Sequence, residues 1–314
     1  LKAGVGVIAR ADHLRAMQDR GLRLQIEDKI HTVDVRAVEN PADLGAQDLL
    51  IVSVKGPSLP EAISSMAPLV NGQTRVAFVM NGLPWWFADG LPVNMTPELR
   101  RSLDPAGKFG SLAPLERTIW GVITSGGAVG APGLIRSITP NVNMVIFGYP
   151  DNREDDFIRD VSALFKGAGY DASISKNIRK SIWQKLLLNV SQAMVATVTN
   201  HNHLQVTTDP ETRALTMAIM QEVLAIGEVI GLPLDANPLS MTDPKRYGTH
   251  VSSFLQDLRA GRPLELDSTI LAVRNIARAK GISAPSLTAV AAIVSALSAD
   301  HAAEYRAMRS TSGL

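Results

Sequence analysis

Two short, almost continuously apolar runs, Asp48 to Val54 and Arg75 to Met80, constrain this chain most. They are rich in β-branched residues and show no polar alternation, the pattern of strands covered on both faces of a sheet. Between them a helical stretch from about Pro60 to Leu69 supplies the crossover that parallel strands require. A strand at Val5–Ile8 and a helix at Ala11–Arg20, with Gly21 placed to stop it, precede them. Strands alternating with helices at this spacing predict an α/β fold with a doubly wound, largely parallel sheet.

The texture changes further along. From Ile119 to Phe147 strand pairs alternate with Gly- and Pro-containing turns, which predicts an antiparallel extension of the sheet. A helix near Asp155–Ala168 and a strand at Asp171–Ile174 end this half. Beyond Lys176 the periodicity is helical, over about 177–199, 211–231, 265–280 and 286–298. We therefore expect two domains, an α/β domain over residues 1–174 and an all-α domain over 175–314, as suits a chain of 314 residues. Open sheets of this kind bind ligands at the carboxyl ends of their strands, and a helical partner domain can cover that region.

Composition removes several functions. With 31 basic against 30 acidic residues, no excess charge exists for a nucleic-acid backbone or an anionic membrane. Cysteine is absent, which excludes disulfides, thiolate metal sites and thiol catalysis. The longest apolar run, about Leu287–Leu297, falls short of the roughly 18 residues of a membrane span. No signal peptide is visible, so a cytoplasmic protein is expected. The pair His201 and His203 lacks a further ligand set, so no metal is expected.

Gly4-Val5-Gly6-Val7-Ile8-Ala9 matches a Gly-x-Gly-x-x-Ala pattern, but its glycines precede a strand instead of following one, so it does not form a phosphate loop. Gly126–Gly130 is glycine-rich and is expected to be a turn. Arg10 follows the Val5–Ile8 strand. A guanidinium there is either a solvated surface group or a reader of a nucleotide 2′-phosphate. Lys55 and Asn81 each follow a buried strand and could meet in one crevice, although Asn81-Gly82 also reads as a plain turn. Pro84-Trp85-Trp86-Phe87 is open between a binding wall and a packed lid.

The helix at 177–199 carries the strongest internal clue. Apolar residues surround it, among them Ile182, Trp183, Leu186, Leu187, Leu188 and Val190, yet Ser181, Lys185 and Asn189 stack on one face at steps of four. A lysine in such a helix either lines a cavity, with its pKa lowered toward that of a useful proton donor, or snorkels to the surface. A second polar constellation, Ser252 to Asp257 and Gly261 to Asp267, contains Glu265 at the expected start of a helix. There Glu265 could be a plain first-turn acid.

Taken in order, several segments resemble the ketopantoate reductases (2-dehydropantoate 2-reductases). They are Val7-Ile8-Ala9-Arg10-x-x-His13-Leu14, Ile51-Val52-Ser53-Val54-Lys55, Asn81-Gly82-Leu83-Pro84-Trp85-Trp86, Ile182-Trp183-Gln184-Lys185-Leu186-Leu187-Leu188-Asn189 and Ser253-Phe254-Leu255-Gln256-Asp257-x-x-x-Gly261-Arg262-Pro263-x-Glu265-Leu266-Asp267. The resemblance runs essentially end to end. It implies a Rossmann-type domain that binds NADP(H), followed by a helical substrate-binding domain. It also implies reduction of a 2-keto acid, 2-dehydropantoate to pantoate as the family reaction of pantothenate biosynthesis. Residue by residue, Lys185 matches the proton donor to the keto oxygen, and Glu265 a residue at the nicotinamide–substrate junction. Arg10 matches the 2′-phosphate reader and Lys55 a cofactor contact. Asn81 matches a residue near both cofactor and substrate, while Asn189 and Ser253 match substrate contacts. His250 stands where the best-known members have a substrate-side asparagine.

The chain departs from the family pattern on the substrate side. Ala193 and His250 replace asparagines, and another asparagine position falls on or near His203. Such losses reduce discrimination of a substrate's polar groups. Three alternatives stay open: a reductase of another 2-keto acid, an opine-like dehydrogenase on a similar two-domain plan, and a non-catalytic NADP-binding sensor. The resemblance also implies a strand, a Gly-rich turn and a helix, on the order of 20 residues, ahead of Val5. A central strand contributes roughly 10 kcal/mol of burial, comparable with the ~5–15 kcal/mol stability of a whole domain. We therefore expect further residues before Leu1-Lys2-Ala3-Gly4, and with them the diphosphate-binding turn. The apolar helices of the second half leave room for a homodimer.

Overall fold

The computed structural model describes residues 4–139 and 141–312, with side chains as far as His301; Leu1, Lys2 and Ala3 lie outside the described residues. Contacts divide the chain into two compact units whose segments interleave. One comprises the residues up to Val54 together with Glu61–Met80 and Gly110–Ile178. The other comprises Lys55–Pro60, Asn81–Phe109 and the chain from Arg179 onward.

The first unit holds the strands. In chain order they are β1 (Gly6–Ile8), β2 (Leu22–Ile26), β3 (Lys29–Val33), β4 (Arg36–Val38), β5 (Leu49–Val52), β6 (Arg75–Val79), β7 (Thr118–Thr124), β8 (Gly127–Ala131), β9 (Leu134–Ser137), β10 (Met144–Gly148) and β11 (Asp171–Ile174). Its largest sheet has the order β11-β10-β7-β6-β5. The pairs β5–β6 and β6–β7 are parallel, whereas β7–β10 is antiparallel. The predicted parallel sheet with an antiparallel extension is therefore present. Its core packs Ala77, Val79, Ile119, Val145 and Phe147 against Ile158 and Val161 of the helix Asp156–Gly167. Each large apolar side chain buried in this way contributes about 1.5–3 kcal/mol. The helix Ala11–Arg20 ends as expected at Gly21, which has φ 71° and donates its N–H to the Met17 carbonyl.

Several sequence expectations are corrected. In the strand β5, Leu50 and Val52 are buried whereas Ile51 is 44% exposed, so among the described residues only one face of this strand is covered. An unbroken apolar run does not by itself distinguish one covered face from two. Gly126–Gly130 is not a turn. Most of it lies in β8, and the reversal comes at Pro132-Gly133, where Gly133 has φ 70°. Residues 22–38 were unassigned in the sequence yet form β2, β3 and β4. With β9 and β8, the strands β3 and β2 make a four-stranded sheet ordered β3-β2-β9-β8.

The second unit is helical. The expected single helix over 177–199 is two, Ile178–Val190 and Gln192–Thr199, interrupted at Ser191 (φ −100°, ψ −85°). Ser191 turns its hydroxyl back to the Leu187 carbonyl at 2.6 Å, a local bond that competes with continuing the helix. The helix Pro210–Val229 matches expectation, and the last helix runs on from Pro285 to Ser312. The segment expected as a helix from 265 begins instead as a wide turn at Asp267–Leu271, with non-helical Thr269, before the regular helix Ala272–Ala279. Glu265 is thus not an exposed first-turn acid; it precedes the turn and is 7% exposed.

Candidate active site

Apart from the pair made by Arg10, the following contacts lie within the helical unit. On the helix Ile178–Val190, Ile182, Trp183, Leu186, Leu187 and Val190 are buried, whereas Gln184 and Leu188 are exposed. Ser181, Lys185 and Asn189 form the partly buried line between these faces. The Lys185 ammonium donates to Oδ1 of Asn81 at 2.7 Å. Desolvation of that ammonium lowers its pKa from 10.5 to about 8, against the opposing pull of the Glu265 carboxylate. Of the two sequence alternatives for Lys185, the inward one is observed.

Asn81 uses its amide at both ends. Its Nδ2 donates to Oε2 of Glu265 at 3.2 Å, and Oε1 of Glu265 accepts the Gly56 N–H at 3.0 Å. A buried carboxylate is tolerated only when hydrogen-bonded, and these two donors give each of its oxygens one partner. The turn at Asn81 is held by the neighbouring Gly82, whose φ is 86°. A Cβ there would come within 2.9 Å of the Ser268 carbonyl and 2.8 Å of its Cβ. Ser268 also accepts the Leu83 N–H at 2.7 Å, locking this turn to the segment that follows Glu265. Asn81-Gly82 is therefore a turn, and the Asn81 amide joins the Lys185 ammonium to the Glu265 carboxylate.

Lys55 lies beside this chain of contacts, with its ammonium on Oδ2 of Asp257. Oδ1 of Asp257 accepts Nε of Arg262 at 2.7 Å. Asp257 and Arg262 were part of the second polar constellation but received no role from the sequence. The signal was present: Asp257 stands three residues after Phe254 and next to Leu258, on the apolar side of its helix, where an acid needs a cation. The donor set suits an anionic dinucleotide, since the side chains of Lys55 and Arg262 stay 48% and 53% exposed while anchored.

The remaining predicted residues stand outside this chain of contacts. Asn189 lies one turn beyond Lys185 and is partly buried. Ser253 is the exposed first residue of the helix Ser253–Arg259, which Ser252 caps by accepting the Leu255 N–H at 3.2 Å. His250 is exposed. Its ring stacks on that of His203, with centroids 5.7 Å apart, and its carbonyl accepts the His203 N–H at 3.1 Å. Two of the three departures from the family pattern are thus neighbours in space. Burial, with the adjacent His250, lowers the His203 pKa to about 4, so its imidazole is neutral near pH 7.

Trp86 and Phe87 are fully buried. Phe87 stacks on Trp183 at 5.9 Å, and Arg179 lies over Trp86 while donating to the Phe87 carbonyl at 3.0 Å. For these two residues the packing alternative is observed. Arg10 belongs to the other unit. It precedes the helix Ala11–Arg20, and its 63% exposed side chain pairs with Glu61 at 3.2 Å. Among the described residues, no group of three or more histidine, aspartate and glutamate side chains could hold a metal ion. No described helix is long and apolar enough to cross a membrane.

Comparison with known proteins adds independent findings. The family model described as "Ketopantoate reductase PanE/ApbA" matches residues 1–138, and its C-terminal companion matches 177–298. The chain is 31% identical to a 2-dehydropantoate 2-reductase of Mesorhizobium japonicum, over 95% of this chain and 91% of that one. The chain belongs to the ketopantoate reductase family. A Ralstonia solanacearum MolK2 protein assigned to the ketopantoate reductases shares the fold with a TM-score of 0.84 and 31% identity, covering 95% of this chain and 91% of that chain. The fold extends to D-mandelate dehydrogenase, solved with NADH and anilino(oxo)acetate, with a TM-score of 0.80, 18% identity and coverage of 96% and 92%. Membership makes this chain an oxidoreductase of the nicotinamide-dependent kind and agrees with the α/β-plus-helical fold.

Proposed function

We propose that this chain reduces 2-dehydropantoate, a 2-keto acid, to its 2-hydroxy acid with NADPH. The observation that carries the proposal is the desolvated Lys185 ammonium, held by Asn81, which in turn is held by Glu265. A reduced nicotinamide supplies a hydride, which forms the new C–H bond at the keto carbon. Charge then builds on the keto oxygen. The Lys185 ammonium stabilises that charge and transfers its proton there, leaving a neutral amine that regains a proton from water. Asn81 fixes the direction of the ammonium, and the Glu265 carboxylate favours its charged form. The family resemblance supports Lys55 and Asn81 as dinucleotide contacts and, separately, Arg10 as a 2′-phosphate reader.

Steady-state NADPH oxidation with 2-dehydropantoate tests this directly; absence of turnover, with NADPH still bound, favours the sensor alternative. Because only the ammonium carries the transferable proton, reductive kcat should fall with unit slope as the pH rises through about 8. A flat profile through that value would remove Lys185 from the donor role.

The preference for NADPH over NADH rests on Arg10. Its pairing with Glu61 is solvent-exposed and worth at most about 1 kcal/mol, so the guanidinium can exchange that carboxylate for a 2′-phosphate. Arg10→Gln should raise KM for NADPH by roughly 10–100-fold, the value of one charge-assisted hydrogen bond, and leave KM for NADH nearly unchanged. Equal effects on both cofactors would overturn the preference.

A second reading, reduction of a different 2-keto acid, is favoured by the stacked His203–His250 pair and by Ala193 at family asparagine positions. Comparing kcat/KM across 2-keto acids with and without a 4-hydroxyl decides it. A lead for 2-dehydropantoate supports the first reading, and a lead for an unhydroxylated acid supports the second.

A further inference from the structure

We infer that Asp257 is a positioning residue that sets Lys55 and Arg262 side by side as a receptor for a phosphate of the dinucleotide, an inference that rests on the cofactor reading above. Asp257 sits on the buried side of the helix Ser253–Arg259, with its side chain 5% exposed, beside buried Phe254, Leu255 and Leu258. Its two oxygens are divided between the two cations: Oδ2 takes the Lys55 ammonium and Oδ1 takes Nε of Arg262 at 2.7 Å. Two cations on one carboxylate leave a net positive charge. An ammonium has three N–H donors and a guanidinium five, so most remain after one bond each to Asp257, and both groups are about half exposed.

The receptor is joined to the reacting centre through the backbone. Arg262 N–H donates to the Asp257 carbonyl at 2.9 Å, which shapes the turn leading to Glu265. On the other side, Gly56, next to Lys55, donates its N–H to the Glu265 carboxylate at 3.0 Å. The same two segments therefore present both the cations and the carboxylate beside Asn81. Arg262, which carries no other assignment, becomes an anion-binding residue.

The sign of one effect separates positioning from mere proximity. A carboxylate near a bound phosphate repels it, so neutralising a bystander would tighten NADPH binding. A carboxylate that holds two cations in place does the opposite when neutralised. We expect Asp257→Asn to weaken NADPH binding about 10-fold, read by fluorescence titration of the intact protein without substrate. Arg262→Gln should weaken it by a similar factor and reduce its salt sensitivity. In a Lys55→Gln/Arg262→Gln background, Asp257→Asn should cause no further loss, because its partners are gone.

NADH, titrated in parallel, identifies the phosphate. Equal losses assign the diphosphate, and losses confined to NADPH assign the 2′-phosphate. Unchanged or tighter binding in Asp257→Asn overturns the inference while leaving the cofactor reading intact. Failure of the wild-type protein to bind either dinucleotide overturns both. If Asp257→Asn does not fold, the exposed ends decide: Lys55→Gln and Arg262→Gln each bind NADPH more weakly, or the inference fails.

Discussion

In the Lys185→Ala variant, turnover falls by about 10²–10⁴-fold, the usual worth of a positioned general acid, while the Kd for NADPH stays within about twofold. The two effects separate because the ammonium acts on charge that appears only in the transition state, whereas the dinucleotide is held by other groups. Removing Lys185 also removes the ionisation near pH 8, so whatever turnover persists should be flat through that value. Lys185→Arg is a sharper control. A guanidinium keeps the charge but does not release a proton near neutral pH, so the rate should remain low. Turnover like that of the wild type in Lys185→Ala would require a different proton donor and would sink the assignment.

Glu265→Gln should show the next largest effect. Glu265 accepts from both the Gly56 N–H and the Asn81 amide. Glutamine presents one acceptor and one NH₂ group, so one of these contacts becomes donor against donor. Losing a buried charge-assisted bond costs about 1.5–3 kcal/mol, which corresponds to roughly 10–100-fold in kcat/KM if the disturbance is transmitted through Asn81 to Lys185. The Coulomb support of Glu265 also disappears. Since that support raises the Lys185 pKa, the upper limb of the pH profile should move below about 8. Measuring kcat against pH in this variant distinguishes electrostatic coupling from loss of fold, because a merely unstable protein loses amplitude and leaves the limb in place.

Much of the site could be read before the structure. Lys185 stood out as a lysine on a helix with Ile182, Trp183, Leu186 and Leu187 around it, which either lines a cavity or snorkels to the surface, and the structure shows the inward alternative. Asn81 and Lys55 were identifiable as polar residues directly after apolar strands. Glu265 was named, but its burial was not foreseen, because the wide turn at Asp267–Leu271 displaces the helix start that would have exposed it. Asp257 received no role, although its position beside Phe254 and Leu258 already demanded a cation. In the fold, β2 and β3 escaped notice because their side chains are partly or wholly exposed, and exposed strands carry little hydrophobic signal. Ser191 escaped because a serine within an apolar helix differs little in propensity from its neighbours; its hydroxyl bond to Leu187 accompanies the break, but Thr216 makes the same kind of bond within an unbroken helix.

The alternation of β5, a helix and β6, the stop at Gly21 and the polar line on the 178–190 helix follow from neighbours a few residues apart. The sequence alone therefore determined them, since side-chain sterics, capping and periodicity act over one or two turns. The pairings that make the site span 104 residues from Lys185 to Asn81, 184 from Asn81 to Glu265 and 202 from Lys55 to Asp257. No local preference selects among such distant partners. The packed fold selects them, because burying Asp257 and Glu265 is tolerable only where the chain brings cations and N–H donors to meet them. The sequence thus determined which groups could do chemistry, and the tertiary structure decided which of them meet.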